Sequence, residues 1–185
     1  MLLDAVTVRN LELVEPLFAG ESKEVTLLSV LDRTQTGMGG RMLRARLLRP
    51  VLAVAEVEAR LDAVAELEQQ TILRASIREQ LAQILDIERL LAKITIGTAN
   101  PRELYGLGKS LKIIPAVKWL LQNVQSQRLQ QCVTRLDELA EVREAILTAI
   151  SEDAPVNLAD GGAIRDGFDA ALDELRDISR NSKRY

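Results

Sequence analysis

Gly108-Lys109-Ser110 is the tripeptide of this chain whose residue types point most directly to chemistry, since a glycine, a lysine and a hydroxyl in a row form the closing half of a phosphate-binding loop. Such a loop also needs a glycine five positions before its last one, so that backbone N–H groups can curl around the phosphate. That position holds Glu103, a negative charge where phosphate would sit, and no apolar strand-like run precedes it. Gly37, Gly39 and Gly40 have the spacing of half a dinucleotide loop, but Met42 stands where its last glycine belongs. Freedom at a helix junction accounts for these glycines. The acid pairs Glu56/Glu58, Asp86/Glu88 and Glu141/Glu144 lack neighbours that would bring a carboxyl toward neutrality, and they read as solvated charges on polar helix faces. There is no histidine, hence no imidazole base, no imidazole metal ligand and no Ser-His or Cys-His nucleophile. Cys132 is the only cysteine, which rules out an intramolecular disulfide and a multi-cysteine zinc site. Its place among apolar helix positions predicts a buried, unreactive thiol. The residues themselves yield no catalytic, cofactor-binding or metal site, and DNA contacts stay unassigned.

Charge narrows the field further. The net charge of -3 is too mild to attract nucleic acid as a whole. Its distribution is uneven: Arg33, Arg41, Arg44, Arg46 and Arg49 lie in a stretch without acids, and residues 134–177 hold twelve acids against four bases. The arginines are either a phosphate footprint or a solvated or interdomain helix face, and no aromatics interleave them for base stacking. No apolar run approaches the ~20 residues that span a bilayer, and Met1-Leu2-Leu3-Asp4 lacks the basic start and apolar stretch of a signal peptide. A soluble, cytoplasmic protein without nucleic-acid or membrane contacts of its own is expected.

The elements that must position these residues are helical. Apolar residues make up 47% of the chain and aromatics only 3%, so the core is aliphatic, which suits helices better than a β-sandwich. The expected fold class is all-α: a multi-helical core with a long lever helix. Val6, Val8, Leu11 and Leu13 alternate as a short N-terminal strand or extended lead would, closed by Pro16 and a Gly20-Glu21-Ser22 turn. Two short helical pieces follow, hinged at Thr34-Gln35-Thr36-Gly37 and ended by Pro50. Residues 53–70 carry Val54, Val57, Leu61, Val64 and Leu67 at three- and four-residue steps, and residues 72–85 carry Ile72, Ile77, Leu81, Ile84 and Leu85. Asp86 is a good N-cap for a helix over 87–96. Asn100 caps the next, with Pro101 at its first position and Glu103 able to reach back. Gly106, Gly108 and Pro115 predict a bend or break near 113–115, with Trp119 and Tyr105 filling the core around it. Leu129, Val133, Leu136, Leu139, Ile146 and Ile150 mark one face of a single long helix over 128–150. After a loop over 151–163, a last helix starts near Asp166 and carries Phe168, Leu172, Leu175 and Ile178. Arg143, at a break in the apolar face, is expected to be solvated.

The order of residues from Thr26 to Leu43 resembles the core domain of the MutS family of DNA mismatch repair proteins. The family signature T-L-x-S-V-L-D-x-T-x-T-x-M-G-x-R-x-L appears as Thr26, Leu27, Ser29 to Asp32, Thr34, Thr36, Met38, Gly39, Arg41 and Leu43. Leu3-Asp4-Ala5, Thr7 and Arg9 to Leu13 resemble the family's lead-in to the core. Asp86 to Leu90 and Asn100 to Leu104 resemble its later landmarks. Asp160 to Gly162, Ile164, Gly167-Phe168 and Leu172 to Arg176 resemble the run into its lever helix.

The resemblance implies a core/lever domain over 1–185: a lead segment 1–25, a helical core 26–163, and the start of the lever at 164–185 toward a DNA clamp. It implies the outgoing half of a discontinuous domain, cut from a longer protein, as does a last helix that runs through Arg180-Asn181-Ser182-Lys183-Arg184-Tyr185 without a C-cap glycine. In the family, the mismatch-probing Phe-x-Glu motif and the Walker nucleotide site lie in other domains, so no functional residue carries over. This stretch is then non-enzymatic. The intact protein would be a dimeric ATPase using ATP and magnesium, binding mismatched double-stranded DNA and recruiting MutL. Exposed apolar surface and self-association are expected of the isolated stretch. A family paralogue acting in recombination, or a free-standing helical protein-interaction adaptor, are the other readings, and the Asn10-Leu11-Glu12-Leu13 lead-in favours repair.

Overall fold

Short polar side chains in front of apolar stretches set the first helix boundaries. Asp4 accepts from the Thr7 N–H at 2.8 Å and the Thr7 hydroxyl at 2.9 Å, opening α1 (Ala5–Asn10). The expected N-terminal strand or extended lead is therefore a helix: the Asp4 cap overrides the loose alternation of Val6 and Val8. The computed structural model describes residues 3–18, 20 and 22–182. The Gly20-Glu21-Ser22 turn includes a residue outside this set, as do Lys183, Arg184 and Tyr185 at the end of the chain. Within it the regular elements are helices, with one isolated antiparallel bridge between Ile150 and Ile164, so the all-α class holds.

After α1 come α2 (Leu27–Leu31), α3 (Gly37–Leu48), α4 (Val54–Gln69), α5 (Thr71–Ala82), α6 (Ile87–Ile96), α7 (Pro101–Leu120), α8 (Gln127–Arg135), α9 (Ala140–Ala149) and α10 (Ala170–Ser182). They divide between two units, Met1–Asp86 with Ile113–Asp137, and Ile87–Lys112 with Glu138–Tyr185. The helix α7 runs unbroken through Pro115, so no break forms at 113–115. The change of unit falls two residues before that proline, whose missing N–H deprives the Leu111 carbonyl of a helical partner.

In the first unit, Ile77, Val117, Leu121 and Val124 are buried together, with Leu67, Leu73, Ile113, Leu129 and Val133 against them. α4 packs on α5 and α8 through its Ala63 and Leu67 side. Glu66 of α4 receives the Gln125 and Ser126 N–H groups at 2.7 Å each, tying down the start of α8 with a carboxylate rather than the local serine. In the second unit, Leu90, Leu107, Leu111, Ile146, Ile150 and Ala154 form the core, joined by Leu104, Tyr105 and Ile164.

Three expectations about packing do not hold. Residues 128–150 form two helices, because the chain leaves helical geometry at Leu136 (ψ 101°) and turns through the left-handed region at Leu139 (φ 44°). Leu129 and Val133 thus serve one core and Ile146 and Ile150 the other. Trp119 is exposed: α7 turns Val117 and Leu121 inward, and residue 119 lies about 200° around the helix from Val117. Tyr105 does pack on the core. α10 begins at Ala170 rather than Asp166, because Gly167 sits at φ +83° and Asp169 accepts the Leu172 N–H at 3.0 Å; Phe168 lies before the helix.

Candidate functional site

The phosphate-loop candidate lies in the middle of α7, where backbone N–H groups are spent on the helix. Gly108 faces α9: a β-carbon there would come within 2.8 Å of Ile146 Cγ2 and 3.0 Å of Leu147 Cδ2. The Ser110 hydroxyl is fully buried and donates to the Gly106 carbonyl at 2.9 Å. Lys109 points outward, 5.9 Å from the centre of the Tyr105 ring and 3.9 Å from a Glu152 oxygen. The motif is a helix–helix contact, and its glycine is there for size. Glu103 belongs to a reciprocal cap with Asn100: the Glu103 N–H donates to Asn100 Oδ1 at 2.9 Å, and the Asn100 N–H to Glu103 Oε2 at 3.1 Å. Lys93 pairs with the same carboxylate, and with Asn100 it holds Glu103 below the usual carboxylate range.

The half dinucleotide loop is likewise a packing feature. Thr36 caps α3 by accepting the Gly39 N–H at 3.0 Å, and Asp32 accepts the Thr34 N–H and hydroxyl at 3.0 and 2.7 Å. These bonds from Thr34 lower the Asp32 pKa. A β-carbon on Gly39 would sit 3.1 Å from Thr36 Oγ1, and one on Gly37 3.0 Å from Asp86 Oδ2. Glycine at both positions lets the turn close on its own caps and on the residue that opens α6.

What the structure does bring together is the set of residues that carries the family resemblance. The N–H groups of Leu27 and Leu28, at the start of α2, donate to the carbonyls of Glu12 and Leu13 at 3.0 and 2.9 Å. Glu12 is held at φ 47° and its carboxylate takes the Leu17 N–H at 2.8 Å. Thr26, the cap of α2, is buried. Arg41 of α3 grips Asp86 with two nitrogens, at 2.7 and 2.8 Å, and Arg78 of α5 donates to the Arg33 carbonyl at 2.8 Å. The lead-in, the signature and the Asp86 landmark are thus joined by side-chain and backbone bonds, a role that residue types alone did not reveal.

Other candidates separate. Glu56 bonds Arg60 at 2.7 Å and Arg128 at 3.4 Å, and the Arg60 bond leads the causes of its lowered pKa. Glu58 stays exposed, as do Glu88, Glu141 and Glu144. Cys132 is exposed, against the expected buried thiol: on α8 the core takes Leu129 and Val133, and residue 132 lies about 100° around the helix from Val133. Arg143 is largely covered rather than solvated, its side chain 16% accessible and bonded to Glu144 at 3.1 Å. Among the described residues no group of three or more His, Cys, Asp or Glu could hold a metal ion, and no helix is long and apolar enough to cross a membrane.

Comparison with known proteins agrees with the signature. The family model described as MutS domain III matches residues 6–184. The chain is similar to the DNA mismatch repair protein MutS of Solibacter usitatus, 59% identical over 189 residues, covering all of this chain and 22% of the relative. It is 42% identical to the MutS of Symbiobacterium thermophilum over 185 residues and 41% to that of Methanosarcina acetivorans over 189, covering all of this chain and 21% of each relative. The chain therefore spans about a fifth of the length of these relatives.

Proposed function

The chain belongs to the MutS domain III family, and from that premise we propose that it is the core and lever portion of a longer mismatch repair protein, coupling an ATPase domain to a DNA clamp. The observation that carries this reading is the joining of three separate signature segments by Glu12, Leu13, Arg41 and Asp86, with the phosphate-loop candidate used up in helix packing. Such a network fixes one helix against the next, and packed helices shift as rigid bodies rather than bending continuously, which suits transmission and not catalysis. The stretch 1–163 then serves as lead and core, and 164–185 as the start of the lever. The domain is completed by polypeptide outside this chain. ATP and magnesium act elsewhere in the longer protein, as do mismatched double-stranded DNA, MutL and the second subunit.

The test compares this chain with the longer protein of its gene. The longer protein is expected to hydrolyse ATP and to bind a G·T duplex more tightly than a paired one, and the 185-residue chain to do neither. ATP turnover by the chain above a contaminant control, or mismatch preference in the chain alone, overturns the reading. In the longer protein, Arg41→Ala is expected to leave basal ATP hydrolysis in place and to weaken its dependence on the mismatch. Unchanged dependence in a folded variant counts against a mechanical role.

A further inference from the structure

Helix α4 presents an apolar stripe to solvent: Val54, Val57, Leu61 and Val64 are 67%, 37%, 60% and 63% exposed, although their spacing is that of a core face. These residues cover about 80° of the helix surface, centred about 120° around the helix from the Ala63 and Leu67 side that packs on the rest of the unit. The two margins of the stripe carry opposite charge. Arg60 lies about 40° beyond Val64, and Glu58 about 40° beyond Val54, with Asp62 next to it.

The basic margin is stronger than one arginine. Glu56 is shared by Arg60 at 2.7 Å and Arg128 at 3.4 Å. Arg46 of α3 stands close enough that, after burial, the Arg60 and Arg128 guanidiniums are what hold it below its usual range. Among the described residues the Arg46 guanidinium has no hydrogen bond or ion pair, and Glu56 is the carboxylate that acts on it. Three guanidiniums around one carboxylate leave positive charge unanswered beside an uncovered apolar row.

We infer that α4 is a docking face for an amphipathic helix from the rest of the longer polypeptide, one with acids along the margin that meets Arg60 and Arg46 and bases along the margin that meets Glu58 and Asp62. This rests on the reading above, since the relatives are about five times longer than the chain. A second copy does not fit. Two antiparallel copies of α4 set Arg60 against Arg60 and Glu58 against Glu58, and two parallel copies set Arg60 against Ala65, which offers no charge. A helix with two unlike margins satisfies both sides, and its apolar row covers the stripe.

Two measurements test this on the 185-residue chain and on the longer protein. In the first, labelled helical peptides with the same leucine row are titrated against the chain, one with glutamates on one margin and lysines on the other, the second with glutamine on both. The first peptide is expected to bind about tenfold more tightly. Arg46→Glu with Arg60→Glu should abolish that advantage, and Leu61→Asp should remove binding of both peptides, with each variant folded by circular dichroism. Equal binding of the two peptides, or binding of neither, overturns the docking face. In the second, Leu61→Cys is labelled with a maleimide and read by peptide mapping. Labelling is expected to be fast in the chain and slower by about tenfold or more in the longer protein. Equal rates overturn the proposal, as does a rate in the chain alone that falls with its concentration, which would assign the face to a second copy. If the docking face fails while the longer protein still couples ATP to mismatch binding, the family reading stands without it.

Discussion

Arg41 and Asp86, 45 residues apart in sequence, meet in a two-point pair with nitrogen–oxygen distances of 2.7 and 2.8 Å. The arginine comes from α3 and the aspartate from the residue just before α6, so the pair fixes the end of one signature segment to the next landmark. The side chains are 40% and 21% accessible, which places the pair near the surface. Its coupling energy in a double-mutant cycle is expected to be about 1 kcal/mol, the upper part of the range for exposed pairs, because the geometry is bidentate. Urea unfolding of Arg41→Ala, Asp86→Ala and the double variant measures it. A coupling within error of zero would show that the pair adds nothing to stability.

Gly108 supplies a test of the helix–helix reading of Gly108-Lys109-Ser110. Valine is no worse a helix former than glycine, so Gly108→Val isolates the clash with Ile146 Cγ2, which a β-carbon would approach to 2.8 Å. A loss of about 2–3 kcal/mol is expected. Ile146→Ala in the same chain should recover part of it, and Lys109→Ala should change stability by less than about 0.5 kcal/mol. If Gly108→Val is as stable as the parent, the close approach of α7 and α9 is not what requires glycine.

The Asn100 cap and the family assignment were legible because they depend on residues a few positions apart: Asn100 with Glu103, and the signature from Thr26 to Leu43, each act over short stretches. The misreadings share another cause. Apolar spacing marks a face without saying what covers it, so Val54, Leu61 and Trp119 looked like core and are exposed. The run from Leu129 to Ile150 kept its helical period across the turn at Leu139, where no glycine or proline marks the break. The joining of Arg41 to Asp86 and of Glu66 to Ser126 depends on tertiary placement, for which a single sequence carries no signal.

Cys132 is expected to react with a thiol reagent in the folded chain. Its exposure on α8 predicts one thiol titrated by Ellman's reagent without denaturant, at a rate little changed by adding urea. Cys132→Ser should alter the urea midpoint by less than about 0.5 kcal/mol. A thiol that reacts only on unfolding would return Cys132 to the core.

Acid should weaken the fold through carboxylates whose pKa values are lowered by folding. Burial opposes the charge on Glu66, but the Gln125 and Ser126 N–H groups outweigh it and lower its pKa; bonds from Thr7, Thr34, Arg60 and Lys93 lower those of Asp4, Asp32, Glu56 and Glu103. The unfolded chain therefore binds protons first as pH falls, and the stabilisation is whole above the ordinary carboxylate range of about 4 and lost below it. Urea midpoints from pH 7 to pH 3 should drop most steeply below about pH 4. Glu66→Gln should be less stable than the parent at neutral pH and converge with it in acid. A constant difference across that range would mean that the charge on Glu66 contributes nothing.

Leu139 decides whether residues 127–150 form one helix or two. It sits at φ 44° and ψ 46°, a conformation that costs a leucine about 1–2 kcal/mol, and its side chain is 45% exposed. Glycine adopts that conformation without a β-carbon clash, although it gives the unfolded chain more freedom and gives up a little apolar contact. The net expectation for Leu139→Gly is a gain of about 0.5–1 kcal/mol in urea unfolding. Were the helix continuous, as the apolar stripe from Leu129 to Ile150 implies, a glycine at its centre would cost about 1 kcal/mol instead. Leu139→Ala, which keeps the β-carbon, controls for the lost side chain and should not be stabilising. The two structures thus predict opposite signs for one substitution. A destabilised Leu139→Gly would restore the single long helix expected over 128–150.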